Sequence, residues 1–87
     1  MRARRLAAVL TSLAAADDRL QGAYREVTSL REEVLPDAEA VHRELLDAFD
    51  AGRYAYDDVL DAQRTLFRLR TQYLHALERY HLAVADV

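Results

Sequence analysis

The chain has 87 residues, a formal net charge of −3 and no cysteine. This length allows at most one small domain, and the lack of cysteine excludes disulfides and thiolate metal sites. An acidic chain without a basic stripe is a poor binder of nucleic acid. One proline and two glycines in a chain with 52% hydrophobic residues predict an all-α fold of nearly continuous helix. No segment approaches the roughly 18 consecutive apolar residues of a membrane-spanning helix.

The first sixteen residues, MRARRLAAVLTSLAAA, have two interpretations. Their basic start, apolar run and small residues are typical of a secretory signal peptide. However, apolar residues keep one heptad-like register from this segment into the following sequence, and a removed segment has no reason to do so. This favours one continuous helix. The residues in register are Leu6, Leu10, Leu13, Leu20, Tyr24, Val27 and Val34.

The first helix is predicted to run from about residue 3 to about residue 49, with a kink near Pro36. The apolar spacing continues past the proline, so the proline bends one long rod and does not separate two domains. The alternative is a real break, because the residue before a proline, here Leu35, is disfavoured in helical geometry. The residues that continue the spacing are Val34, Ala38, Val41, Leu45 and Ala48.

A turn is predicted at residues 50–55, followed by a second helix over about residues 56–85. Gly52 ends an apolar-periodic run and can adopt the left-handed conformation that closes a helix. Asp57, Asp58 and Asp61 then place negative charge in the opening turns of the next helix, where the helix dipole favours it. Residues 1–87 are therefore predicted to form a single long, antiparallel, two-helix coiled-coil hairpin.

The second helix carries two adjoining apolar stripes. The first stripe is Val59, Leu66, Tyr73, Leu77, Tyr80 and Val84, and the second is Leu60, Phe67, Leu74 and His81. One antiparallel partner covers only the a and d positions of a heptad. We therefore expect a single hairpin to leave the second stripe uncovered, which predicts oligomerisation or contact with another part of the same protein.

The order of residues from Leu35 to Val84 resembles the second periplasmic hairpin of the outer membrane efflux protein family, the TolC-like outer membrane factors, above all its heavy-metal efflux branch. The family pattern has a leucine-proline start, an alanine-glycine turn, the run VLDAQRTL and spaced tyrosines and alanines. The corresponding residues here are Leu35, Pro36, Ala38, Glu39, Phe49, Ala51, Gly52, residues 59–66, Tyr73, Ala76, Leu77, Tyr80 and Ala83.

The resemblance implies a channel component. In this family, each chain contributes two hairpins and several strands, and three chains close into a helical tunnel below an outer membrane barrel. Only the second hairpin has a counterpart here, so the resemblance implies a fragment of a trimeric α-barrel, located at the outer membrane and periplasm. The implied partners are further copies of the protein, a periplasmic adaptor protein and an inner-membrane RND-type pump.

Two groups of candidate functional residues surround the turn. Because the hairpin tips of relatives meet those of the adaptor, the resemblance implies a partner-binding tip of Asp50, Ala51, Gly52, Arg53 and Tyr54. Asp58 and Asp61 are three residues apart, hence on one face of the helix. They match acidic positions that ring the tunnel entrance and favour cations. The alternative for these two is a purely structural role as acids that stabilise a helix start.

Neither catalysis nor a resident cofactor or metal is expected. No nucleophile is paired with a base, no glycine-rich phosphate loop occurs, and a two-helix rod offers no concave pocket. His75, Glu78 and His81 are spaced by three, but the two histidines diverge too far around a helix to converge easily on one ion. His42 is predicted to lie on the other helix, far from His75.

A second hypothesis is a free-standing helical interaction protein that dimerises into an antiparallel four-helix bundle. The genes next to the coding region separate the two hypotheses. Neighbouring adaptor and pump genes favour the efflux channel, and a stable soluble dimer from an isolated gene favours the interaction protein.

Overall fold

A computed structural model describes residues 2–86, so Met1 and Val87, the ends of the predicted unit, lie outside the described residues. Within this range the chain has four helical elements and no strand: α1 (Arg2–Ser29), a π-helical turn (Leu30–Val34), α2 (Leu35–Asp50) and α3 (Tyr56–Asp86). The first three form one arm, and α3 packs antiparallel along it. The rod measures 73 × 17 × 15 Å. The predicted all-α hairpin is confirmed.

Pro36 is the second residue of α2, and the π turn ends two residues before it, at Val34. Leu35 keeps helical angles, φ −66° and ψ −46°, and its N–H donates to the carbonyl oxygen of Leu30, five residues earlier. A proline ring inside an α-helix crowds the carbonyl four residues before it, here that of Glu32. The wider π turn lies at this point, so the arm continues through Pro36 without the break considered as the alternative.

The π turn also coincides with an irregularity in the apolar spacing. Before it, the buried and half-buried apolar residues are separated by alternating steps of three and four: Leu20, Ala23, Val27, Leu30 and Val34. The next step, from Val34 to Ala38, is again four. A π turn is an α-helix with one inserted residue, so it accommodates the extra residue, and Leu45 and Ala48 are half-buried again farther along α2.

The seam between the two arms buries smaller residues than the predicted stripe of the first helix. Half of the buried residues are alanines. The eight buried residues are Ala16, Ala23, Val27, Leu30, Val59, Leu66, Ala76 and Ala83. Tyr24, which belongs to the heptad-like register of the first helix, is 53% exposed, and its neighbour Ala23 is buried. Short side chains such as that of Ala23 let two helices approach closely.

The first turns of α1 lie beyond the described end of α3. Asp86 borders the same groove as Arg19, so the described part of α3 ends opposite this region of α1. Leu6, Leu10 and Leu13 are 63%, 64% and 55% exposed because no described helix lies opposite them. These three leucines therefore continue the apolar spacing of the seam, but their side chains are not buried.

The second predicted stripe of α3 is mostly uncovered in the hairpin. Phe67 is 72% exposed and Leu74 62%, whereas Leu66, next to Phe67, is only 5% exposed. This agrees with the expectation that one hairpin cannot cover both stripes. Across residues 2–86, every helix is too short or too polar to cross a membrane.

The turn between α2 and α3 is built around Gly52, whose φ of +74° lies in the left-handed region. The N–H of Arg53 donates to the carbonyl of Ala48 at 2.8 Å, and that of Gly52 donates to the carbonyl of Phe49 at 2.9 Å. These two bonds form a Schellman motif, which satisfies carbonyls that a helix end leaves open. The rings of Phe49 and Tyr56 lie 5.4 Å apart between centroids and join the two helix ends.

We expect Gly52→Ala to lower the free energy of unfolding by about 1 kcal/mol, because an alanine resists the left-handed conformation. A Cβ at Gly52 meets no atom within 4 Å, so the effect isolates the backbone. Gly22 in α1 is the matched control, also with no neighbour within 4 Å. Gly22→Ala should stabilise by about 0.5–1 kcal/mol through helix propensity. Urea denaturation followed by circular dichroism measures both, and equal signs contradict the argument.

Candidate functional site at the hairpin tip

The five predicted tip residues occupy one end of the rod and are all exposed. Asp50 is the last residue of α2 and Ala51 caps it, while Gly52, Arg53 and Tyr54 form the turn itself. The Schellman bonds hold the turn backbone in one conformation. The tip is therefore a small, exposed and locally fixed surface that combines a carboxylate, a guanidinium and a phenol.

A groove of about 370 Å³ runs along one side of the hairpin next to this tip. Its α2 wall is apolar, and its opposite wall contains both predicted entrance acids together with the tip residue Tyr54. The lining residues are Ala38, Val41, Leu45, Tyr54, Asp58, Asp61, Ala62 and Thr65. The structure thus joins the two predicted groups in one surface.

The α2 wall of the groove was not recognised in the sequence. Val41 is 50% exposed although it lies on an apolar stripe. The available signal was the pair of successive four-residue steps around Val34, which marks where the apolar spacing of the first helix becomes irregular. The apolar wall beside two carboxylates makes the groove suitable for a partner segment with both apolar and basic side chains.

The two acids of the groove have different local partners. Asp58 belongs to the first turn of α3, and its backbone N–H donates to the carbonyl of Ala55 at 3.1 Å. The carboxylate of Asp61 lies 3.6 Å from the guanidinium of Arg64, with both side chains about three-quarters exposed. Exposed pairs of this kind contribute at most about 1 kcal/mol. Asp61 is therefore free to exchange this contact for another cation.

The acidic groove and the exposed apolar stripe lie on different sides of α3. Nine residues separate Asp58 from Phe67, which at about 100° per residue places them about 180° apart around the helix. The hairpin consequently offers two distinct surfaces to neighbours, one acidic and one apolar.

A charged contact joins the two arms toward the other end of the rod. The guanidinium of Arg79 donates to both carboxylate oxygens of Glu26, at 2.9 and 2.8 Å. Hydrogen bonding from Arg79 lowers the pKa of Glu26 below its ordinary value of 4.5, against a smaller opposing effect of burial. The nearby side chain of Gln72 also lowers this pKa.

This contact predicts a pH dependence of stability. Because the pKa of Glu26 is lowered in the folded state, the stabilisation is complete above the ordinary value of 4.5 and is lost as the pH falls through the lowered pKa. We expect Glu26→Gln to reduce the fall in unfolding free energy below pH 4.5, by at most about 1 kcal/mol since the pair is partly exposed. Urea titrations at several pH values measure this, with Glu44→Gln, a change at an exposed residue of α2, as control. An unchanged acid limb for Glu26→Gln contradicts the prediction.

The histidines are dispersed. His75 and His81 are exposed on α3, and His42 is half-buried on α2. Among residues 2–86, no three His, Asp or Glu side chains are grouped closely enough to hold a metal ion.

Comparison with known proteins gives one relative of interest. The chain is 37% identical over 76 residues to the cobalt-zinc-cadmium resistance protein CzcC of Cupriavidus metallidurans. The match covers 87% of this chain and 18% of the relative, so the chain spans less than a fifth of that protein's length. No protein-family model matches the chain, and neither does any solved structure. The similarity supports, for the chain as a segment, its resemblance to the heavy-metal branch of the outer membrane efflux proteins.

Proposed function

We propose that the chain acts as a periplasmic hairpin of an outer membrane channel that exports heavy-metal ions, as a structural component and not as an enzyme. The observation that carries this is the 37% identity to a cobalt-zinc-cadmium resistance protein across 87% of the chain. The long hairpin with a fixed turn and an uncovered apolar stripe is the form that a helical tunnel requires of its parts. The location that follows is the outer membrane and periplasm.

In this proposal, the tip binds a periplasmic adaptor protein. Asp50, Ala51, Gly52, Arg53 and Tyr54 are exposed at the extreme end of the rod. A turn that is already fixed loses little conformational entropy when it binds. The apolar α2 wall of the adjoining groove extends the contact surface, so that apolar side chains of the adaptor pack beside the tip. An inner-membrane RND-type pump completes the export system.

Asp58 and Asp61 form the channel entrance in the same proposal. A trimer brings two such carboxylates from each of three copies toward one axis. A ring of carboxylates raises the local concentration of cations and disfavours anions. Asp61 supports this role because its contact with Arg64 is exposed and 3.6 Å long, hence readily exchanged.

A segment exchange tests the proposal. The stretch of CzcC that matches this chain is replaced by the chain, and the hybrid is produced in cells that lack CzcC. We expect growth in cobalt, zinc or cadmium salts to be restored, because the hairpin supplies the same packing surfaces. Hybrid protein that reaches the membrane in normal amount without restoring resistance contradicts the proposal. Unmodified CzcC is the positive control.

Two variants of the hybrid separate tip from entrance. Arg53→Glu with Tyr54→Ala should abolish co-purification of the adaptor, whereas Arg68→Glu, an exposed change away from the tip, should preserve it. Asp58→Ala with Asp61→Ala should retain adaptor binding but lower the cation selectivity of the channel in planar bilayers. Unchanged conductance and selectivity in that double variant contradict the entrance assignment.

A further inference from the structure

Four residues of α3 form a line along its exposed apolar side, here called the outer stripe: Leu60, Phe67, Leu74 and His81. They recur every seven residues, which keeps them on one side of the helix. Phe67 is 72% exposed and Leu74 62%. Large apolar side chains exposed side by side along a helix mark an interaction surface.

The outer stripe is complementary to itself in the antiparallel orientation. Phe67 and Leu74 lie equally far from a midpoint between residues 70 and 71, and Leu60 and His81 share the same midpoint. A two-fold axis at this point places Phe67 of each copy beside Leu74 of the other. Such an isologous contact closes on itself and forms a dimer.

The charges beside the outer stripe favour the same orientation. Arg64 and Glu78 are each seven residues from Thr71, on the side of α3 that adjoins the stripe. An antiparallel pair brings Arg64 of one copy next to Glu78 of the other, twice per dimer. A parallel pair related by a two-fold axis instead places Arg64 and Glu78 of the two copies on opposite flanks of the contact, so the Arg64–Glu78 pairs do not form.

The centre of this surface is compatible with close contact. The hydroxyl of Thr71 donates to the carbonyl of Phe67 at 3.1 Å, so its hydrogen bond is made within the helix. The guanidinium of Arg70 lies 3.7 Å from the carboxylate of Glu39 in the same chain. The arginine nearest the two-fold axis thus has an opposite charge beside it.

We propose that the 87-residue chain pairs with a second copy of itself through the outer stripe, in antiparallel orientation, to form a four-helix dimer. The pairing rests on self-complementary spacing and charge, and it uses the same stripe that neighbouring helices cover in the proposed channel, so it applies to the chain outside that assembly. The acidic groove with Asp58 and Asp61 remains open in this dimer because it lies on another side of α3.

Analytical ultracentrifugation of the full chain tests the proposal. We expect a dimer that Phe67→Asp weakens at least about 100-fold, since a carboxylate then replaces the central anchor. Leu82→Asp, an equally drastic change at a residue 60% exposed on another side of α3, should leave the dimer intact. Circular dichroism verifies that each variant is helical. A wild-type monomer or trimer, or equal effects of the two changes, overturns the proposal.

A charge exchange and a cross-link test the orientation. Arg64→Glu and Glu78→Arg should each weaken the dimer by about tenfold, because two symmetry-related pairs become repulsive, and their combination should restore it. The chain has no cysteine, so Arg64→Cys and Glu78→Cys provide single thiols. Mixing them under oxidation should yield the 64–78 disulfide, with one native charge pair retained. A mixed 64–78 disulfide that forms no better than the 64–64 and 78–78 disulfides of the separate variants overturns the proposal.

Discussion

Leu66→Ala should lower the free energy of unfolding by about 2–3 kcal/mol, whereas Phe67→Ala, one residue later, should change it by less than about 0.5 kcal/mol. The two side chains are both large and apolar, and both lie on predicted stripes of α3. Leu66 is only 5% exposed in the seam, while Phe67 is 72% exposed on the outer stripe. Truncating Leu66 leaves a cavity between the helices. In a thin rod the two helices can move together and close part of this cavity, so the loss of unfolding free energy lies toward the lower end of the range for Leu→Ala changes.

Urea denaturation followed by circular dichroism at 222 nm measures this pair of changes. The measurements belong at protein concentrations where sedimentation shows a monomer, because loss of the second copy would otherwise add to the effect of Phe67→Ala. The difference between the two variants reports which stripe of α3 forms the folding core. If Phe67→Ala is as destabilising as Leu66→Ala, the assignment of the seam is wrong.

The hairpin was predictable because its signals are local. Gly52 follows a run of apolar periodicity and precedes acids, and each feature acts within a few residues of the turn. The near absence of helix-breaking residues likewise predicts the two long helical arms. Local chemistry of this kind fixes where a helix ends whatever packs against it, so a single sequence is sufficient to find it.

The seam was harder to predict because burial depends on the opposite helix. Ala23 and Tyr24 are adjacent, and either could have faced α3 on hydrophobicity alone. Side-chain size favours Tyr24 for burial, yet Ala23 is buried and Tyr24 is 53% exposed. The π turn does not follow from the spacing alone. The two successive steps of four residues around Val34 fit a bend at Pro36 as well as a π turn.

The candidate site divides in the same way. The exposure of Gly52 and Arg53 follows from the turn, whereas the groove that joins Tyr54 to Asp58 and Asp61 requires the position of α2 beside α3. Whether the two acids form a channel entrance depends on further copies of the chain, so that role stays a prediction. The sequence is sufficient to predict the candidate residues, whereas the groove that some of them line exists only because α2 packs beside α3.

Ala76→Leu should lower the free energy of unfolding by about 1–3 kcal/mol even though it adds apolar volume. Ala76 has 0% exposure and packs with Val27 and Leu30, with Tyr73 and Tyr80 at the margin of the same cluster. A leucine at this position forces α3 away from α1 or displaces the tyrosines from their rotamers.

Ala15→Leu is the matched control, because Ala15 is exposed on α1 and next to buried Ala16. It should change stability by less than about 0.5 kcal/mol, and the same urea titrations compare the two variants. A stabilising Ala76→Leu would mean that the helices have room to spare at this point. Ala76 and Ala83 are also among the residues that carry the family resemblance, so a destabilising result gives those two alanines a physical reason: they set how closely the arms approach.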